Sequence, residues 1–314
     1  MMRILVICSR REYASFTGYV APFIYEQVSQ LEALGLTIHY YLILGGWKGY
    51  YQAVSETKRI IHEIKPDVIH AHYGLCGFIA NLQRRVPVVT TYHGSDLNER
   101  KLRLFSIISS LLSRYNIVVS KELLQRICHK KNTFLIPCGI DTKLLQPMDR
   151  MEARRKLGWK TDDIYILFSK EFHNVTKNYP LAKAAVDCYN RTHPDKPGAE
   201  LIEFIGYSRE QVLWLYNAVN CVIMTSIHEG SPQFIKEAMA CNCPIVSVDV
   251  GDVKQVIAGV EGCFIAERTA HDLAEKLDLA IKAGRTEGRN RILGKYDSVA
   301  VARRIAAIYQ DVVQ

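Results

Sequence analysis

Thr225-Ser-Ile-His-Glu229-Gly-Ser-Pro-Gln-Phe-Ile-Lys-Glu237-Ala-Met-Ala-Cys-Asn-Cys-Pro-Ile-Val246 holds one full unit of an alternating α/β chain. The apolar run Cys221–Thr225 in front of it has strand length, and Pro244–Val248 at its end is another such run. Between them Pro232 suits the first turn of a helix, with Ser231 placed to cap it. Strand, loop, helix and strand in so few residues imply parallel strands joined by a crossover helix.

The alternation extends in both directions. Upstream, Arg3–Cys8 reads as a buried strand. A helix from Pro22 follows, with Phe23, Ile24, Val28, Leu31 and Leu34 on its apolar face and Gly35 past its end. Leu36–Ile43 is a strand, Glu56–Ile64 a helix, and Val68–His72, Val86–Thr91, Ile117–Ser120 and Phe134–Pro137 are further strands. The Leu102–Leu112 run reads as an amphipathic core helix, although Arg100, Lys101 and Arg103 beside it keep a membrane-interface reading open. A basic stretch, Met148–Lys160, reads as a linker. A second series then runs through strand Ile164–Phe168, helix Tyr179–Tyr189 and strand Leu201–Ile205. A helix opens at the capping box Ser208-x-x-Gln211, and the last one starts near Asp297. The expected architecture is two Rossmann-like, doubly wound domains facing a central cleft. These are residues 1–148 on the acceptor side and 149–296 on the donor side, with a C-terminal helix, 297–314, packing back on the first.

Composition narrows the function. At 48% hydrophobic and 23% charged, the 314 residues make an ordinary globular protein without a low-complexity tract. No apolar run approaches the roughly 18–20 residues needed to cross a bilayer. The start lacks the charge-then-apolar order of a signal peptide, so a cytoplasmic location is expected. Nine scattered cysteines suit a reducing compartment, and Cys241-Asn-Cys243 has no second pair at zinc spacing. Between Glu99 and Lys160 fourteen basic residues face five acidic ones, a local excess larger than the net charge of +8. Such a stripe suits phosphates, nucleic acid or an anionic membrane, or is simply a solvated surface. The first strand lacks a Gly-x-Gly-x-x-Gly turn, which argues against a dinucleotide oxidoreductase.

The quoted segment carries the chemistry. The amides of Gln233 and Phe234 open a helix and form an anion site. Glu237 lies one turn after Gln233 on the same face, and Glu229 sits in the loop above. Amides for a phosphate and carboxylates for hydroxylated rings describe a nucleotide-sugar site. His70 and His72, at strand spacing, together with His93 and Asp96, leave metal ligation as an alternative.

The pattern Glu229-x7-Glu237 followed by Ala-Met-Ala-Cys-Asn-Cys-Pro-Ile-Val resembles the signature of glycosyltransferase family 4, retaining enzymes of the GT-B fold. Asp249-Val-Gly-Asp-Val253, Thr91-Tyr-His93-Gly-Ser-Asp96, Val119-Ser120, Ile136-Pro-Cys-Gly-Ile-Asp141 and Lys177-Asn178 fit the family in the same order. The resemblance implies that Glu237 holds the ribose hydroxyls of the donor nucleotide and Glu229 the hydroxyls of the transferred sugar. It gives Lys177 the leaving diphosphate, His93 the donor sugar near the reacting centre, and the backbone at Gly18 a close approach to donor and acceptor.

Two departures stand out. An arginine usual before the lysine is absent, leaving Lys170 as its substitute or as a solvent-facing residue. The stretch from Lys177 to Glu229 is short by about one strand–helix unit, which leaves Tyr207 and Ser208 as candidates for the base pocket. No metal and no cofactor is implied, the nucleotide-sugar being a substrate. The expected partners are that donor, a sugar or lipid-linked acceptor in cell-surface polysaccharide or glycolipid synthesis, and an anionic membrane at its inner face, with no nucleic acid. A sugar-nucleotide epimerase of the same fold and a non-catalytic binding module are the alternatives.

Overall fold

The computed structural model describes residues 1–10 and 20–314. Gly18, with its neighbours Thr17 and Tyr19, lies outside the described residues. The chain divides into two compact units, Met1–Gly139 with Ser298–Gln314, and Ile140–Asp297.

The first unit runs β1 (Arg3–Ser9), α1 (Pro22–Ala33), β2 (Thr37–Ile43), α2 (Gly46–Ile64), β3 (Val68–His72), α3 (Gly74–Asn81), β4 (Val88–Tyr92), α4 (Ser95–Asn98), α5 (Arg100–Leu112), β5 (Tyr115–Val118), α6 (Lys121–Arg126) and β6 (Thr133–Leu135). Its six strands are parallel, in the order β2-β1-β3-β4-β5-β6. The register sets Ile4 beside Ile38 and Val68. Both faces of β1 are covered, which explains its unbroken apolar run. Two elements depart from the sequence reading. Helix α2 starts at Gly46, ten residues before Glu56, and α3 follows β3 where no helix was expected.

The second unit runs α7 (Arg150–Leu157), β7 (Ile164–Phe168), α8 (Tyr179–Thr192), β8 (Ala199–Ile202), α9 (Arg209–Ala218), β9 (Cys221–Met224), α10 (Gln233–Ala240), β10 (Ile245–Val248), α11 (Val253–Ile257), β11 (Cys263–Ala266), α12 (Ala270–Ala283) and α13 (Arg289–Ile292). Its parallel sheet has the order β11-β10-β9-β7-β8, with β8 at the edge. The stretch read as a basic linker is the helix α7. Asp149 caps it, its Oδ1 accepting from the Glu152 amide at 2.9 Å. The buried Arg154 guanidinium donates to the Ala218 carbonyl at 2.9 Å and to Asn220 Oδ1 at 2.8 Å, tying α7 to the end of α9. A charged run can therefore form a packed surface helix when one of its arginines is buried and finds carbonyls at the end of a neighbouring helix.

The first crossing between units falls at Gly139/Ile140, nine residues before the change in composition at 148/149. Ile140 and Leu145 belong to the second core. Arg289 fastens the segment between them, donating to the carbonyls of Thr142 and Leu145 at 2.7 Å each. After Asp297 the chain returns as α14 (Ser298–Val313), whose Val301, Ile305, Ile308 and Val312 pack in one cluster with Ile24, Val28 and Leu31 of α1.

Candidate functional site

The loop after β9 is built around a lysine from the loop after β7. Lys177 ends a 3-10 turn, Val175–Lys177, and Asn178 (φ +56°) precedes α8. Thr225 Oγ1 donates to the carbonyls of Lys177 or Asn178, at 2.9 and 3.0 Å, and the Ile227 amide donates to the Thr176 carbonyl at 2.8 Å. With the two loops joined, Lys177 Nζ reaches Glu229 Oε1 at 2.5 Å, and their side chains keep only 20% and 13% exposure. An ammonium has three protons to donate and no acceptor. One proton can stay on Glu229 while the others meet oxygens of an anionic ligand.

Helix α10 begins beside Glu229, and its start differs from the sequence reading. Ser231 is not its cap. Pro232 occupies the N-cap with no side-chain bond, and Ser231 Oγ donates to Asp252 Oδ2 at 2.6 Å. Burial raises the Asp252 carboxyl above its ordinary range, while Lys236 and the Ser231 hydroxyl pull it back. The segment carrying Asp252 also fixes the Glu229 loop. Gly251 (φ +58°) lies so close that a Cβ there would stand 2.7 Å from the Gly230 carbonyl oxygen and 3.2 Å from Glu229 Cβ. A side chain at 251 would thus meet both backbone strain and a steric clash.

The opening amides of α10 have no intrahelical acceptors, as at any helix start. Phe234 roots them, its ring packing 5.6 Å from Phe204 and 5.8 Å from Tyr216. Gln233 Oε1 accepts from Lys236 Nζ at 3.1 Å. Lys236 has no exposed surface, lies 5.4 Å from the Tyr296 ring, and places a positive charge under this helix start.

Glu237 is buried at the other side of α10. Its Oε1 accepts from Arg209 Nη1 and its Oε2 from the Tyr216 hydroxyl, both at 2.9 Å. Burial and the adjacent Glu237 raise the Tyr216 hydroxyl well above its ordinary value, so it stays a donor. A carboxylate offers about four lone-pair positions, and among the described residues only Arg209 and Tyr216 bond this one. Sequence reading missed Arg209 and Tyr216. Their signal was the spacing of seven residues on the helix opened by the Ser208–Gln211 capping box, which forms as expected. Ser208 is spent on that cap. Tyr207 is half-buried against the second core, its hydroxyl raised by burial and by Glu203. Lys170 is about half exposed and lies 3.4 Å from Glu171. His228 is exposed.

In the first unit His93 is partly buried at the end of β4. Its Nε2 lies 3.0 Å from His72 Nδ1, its Nδ1 lies 3.7 Å from Cys138 Sγ, and the rings of Phe23 and Tyr73 flank it. Asp96 accepts from the amides of Gly94, His93 and Gly74 and so shapes the turn after β4. Burial lifts this carboxyl to about 6 against those three bonds. His70 bonds Tyr309 through Nδ1 at 2.5 Å and Thr91 through Nε2 at 2.7 Å. Both its nitrogens are engaged, so it is not a metal ligand here. Among the described residues no three His, Cys, Asp or Glu side chains are grouped to hold a metal ion. No helix among them is long and apolar enough to cross a membrane.

The chain is 23% identical over 238 residues to the putative teichuronic acid biosynthesis glycosyltransferase TuaC of Bacillus subtilis, an alignment covering 68% of this chain. It spans 61% of TuaC's own length, less than two thirds. Among solved structures, sucrose-phosphate synthase from Thermosynechococcus elongatus superposes with a TM-score of 0.78 at 18% identity, covering 99% of both chains. Anabaena HepE in complex with UDP-glucose gives 0.75 at 17% identity, covering 99% of this chain and 100% of the other. Residues 10–144 match the family model for Glycosyltransferase Family 4, and residues 181–283 match that for Glycosyl transferases group 1. With both domains present in order over most of its length, the chain belongs to the family 4, group 1 glycosyltransferases.

Proposed function

We propose that this chain is a retaining glycosyltransferase that moves a sugar from a nucleoside diphosphate to an acceptor hydroxyl. The observation that carries the reading is the Lys177–Glu229 pair at the opening of α10, with the half-satisfied Glu237 carboxylate further along the same helix. In this reading the diphosphate lies on the α10 amides at Gln233 and Phe234, with Lys177 as its counter-charge. Glu237 takes the ribose hydroxyls on the lone pairs left by Arg209 and Tyr216. Glu229 takes hydroxyls of the transferred sugar, and Tyr207 lies toward the base. HepE, solved with UDP-glucose, supports a nucleotide-sugar as the donor class.

The chemistry is a same-face displacement. The acceptor oxygen bonds to the anomeric carbon as the bond from that carbon to the diphosphate oxygen breaks. The acceptor proton passes to the departing phosphate. Lys177 and the helix amides stabilise the charge that develops on the leaving group, so the reaction needs no metal. His93 is the first-unit residue assigned to the donor sugar. The acceptor is a sugar or lipid-linked hydroxyl, as the teichuronic acid context of TuaC supports.

The test is release of nucleoside diphosphate from a panel of activated sugars, with and without candidate acceptors and in the presence of EDTA. Release should require the acceptor and ignore EDTA, and Lys177→Ala should lower it about 100-fold, the scale of one lost charge-stabilising donor. Conversion of the donor sugar without acceptor would instead indicate an epimerase. Binding with no release would indicate a non-catalytic module.

A further inference from the structure

Helix α5 is built inside out. Its buried residues are Ser106, Ser109 and Ser110, with Ser113 just beyond its end. They fit against two glycines of α3, where a Cβ on Gly74 would come 2.0 Å from Ser106 Oγ and one on Gly77 2.3 Å from Ser109 Oγ. The inner face is held by hydrogen bonds. Ser106 donates to the Asp96 carbonyl at 2.6 Å, Ser113 pairs with Thr90 at 2.8 Å and Asn81 at 2.9 Å, and Asn116 Nδ2 donates to the Ser110 carbonyl at 3.0 Å. The apolar residues are left outside. Leu104 is 63% and Leu111 57% exposed, and Ile107 and Ile108 between them are only half-buried. Positions 104, 107, 108 and 111 form a single stripe on a helix. The expectation of a core helix is thus corrected: the leucine face is not the one that α5 buries.

The stripe continues over a neighbouring element. Phe105 packs 6.0 Å from Trp47 at the start of α2, and Trp47 and Tyr51, one turn apart, are 72% and 84% exposed. Cations frame this surface. Arg100, Lys101 and Arg103 occupy the first turn of α5, the end where the helix dipole disfavours positive charge, and among the described residues none of them has an ion pair. Lys48 adjoins Trp47, while Arg84 and Arg114 stand at the far end, Arg84 bonding the Leu112 carbonyl. Glu99 is the one acid from residue 99 to 114, and none occurs from 44 to 55.

We propose that the outer face of α5, extended by Trp47 and Tyr51, seats on an anionic lipid bilayer. An exposed apolar stripe with aromatic residues at its edge and cations around it matches the interior, interface and headgroup layers of such a membrane. The proposal deepens the lipid-linked acceptor reading. It is measured apart from that reading, because docking and nucleotide binding have separate readouts.

The experiment floats the full chain with phosphatidylglycerol–phosphatidylcholine vesicles and with pure phosphatidylcholine vesicles, in low and high salt. Co-flotation with the anionic vesicles alone, weakened by salt, is expected. The double variant Leu104→Ser/Leu111→Ser should reduce the bound fraction about tenfold, and Lys101→Glu/Arg103→Glu should abolish the preference for anionic lipid. Both variants should keep the wild-type melting temperature and its shift with nucleotide. Brominated lipid should quench tryptophan emission in the wild type and much less in Trp47→Phe. Equal binding to neutral vesicles, or flotation unchanged by both double variants, would overturn the proposal. So would a dimer in solution that Leu104→Ser/Leu111→Ser dissociates, since the face would then belong to a second copy of the chain.

Discussion

Lys236 and Glu237 are adjacent in sequence, yet one turns under the start of α10 and the other toward α9. Glu237 was legible because a carboxylate one turn into an anion-binding helix has few other uses. Lys236 was not, since a lysine in a helix is ordinarily a solvated charge, and its burial becomes tolerable through partners such as Gln233, Asp252 and Tyr296 that the sequence does not reveal. Buried charge and buried neutrality have opposite consequences in the first unit. Burial holds His70 down at about 3 and His72 well below the ordinary histidine range, with the neighbouring imidazoles adding to the effect on His72. Both are depressed, so their contribution is present above the unfolded value near 6.5 and is lost as pH falls. At pH 5, 1.5 units below that value, His70 alone costs about 2 kcal/mol, and His72 adds in the same direction. Asp96, raised to about 6, opposes them by about 1 kcal/mol, because the folded form takes up its proton first. The net expectation is a melting temperature that falls between pH 7 and pH 5. His70→Gln should flatten that slope in a pH series of thermal melts, and an unchanged slope would mean that His70 is charged in the fold.

At the scale of elements, strands and the spacing between them were the most legible. A parallel strand covered on both faces has no alternative reading, as β1, β3 and β4 illustrate with every interior position buried. Helices whose packing is polar or short were not. Helix α7 was hidden by its charges, and the cap expected of Ser231 is not made: Pro232 holds the N-cap position without a side-chain bond, and the Ser231 hydroxyl donates to Asp252. Helix α5 was recognised as a helix but assigned the wrong buried face, because hydrophobic periodicity locates the apolar stripe without saying whether anything covers it. Its true inner face depends on Gly74 and Gly77, a close approach invisible without the α3 backbone. Replacing either glycine by alanine should cost about 1–3 kcal/mol in a denaturant titration, as overpacking does. A change below about 0.5 kcal/mol, the size of ordinary surface substitutions, would show that α3 and α5 separate freely there.

At the scale of the whole molecule, the chain folds as two α/β units, and the family match follows their order. The pattern of strands and helices announced both units, but the boundary moved because Arg289 draws Thr142 and Leu145 into the second. The C-terminal helix lies with the first unit because the apolar face of α1 needs a cover, and α14 supplies Val301, Ile305 and Ile308. In the proposed function the second unit holds a nucleoside diphosphate between the start of α10 and Glu237. The direct measurement is calorimetric titration of the wild type, Lys177→Ala and Glu237→Ala with UDP, GDP and ADP. One nucleotide should bind the wild type, and each variant should weaken it at least tenfold, about 1.4 kcal/mol, with the fold intact. Binding of that nucleotide undiminished in both variants, or no binding of any of the three to the wild type, would mean that α10 and Glu237 do not form the nucleotide site.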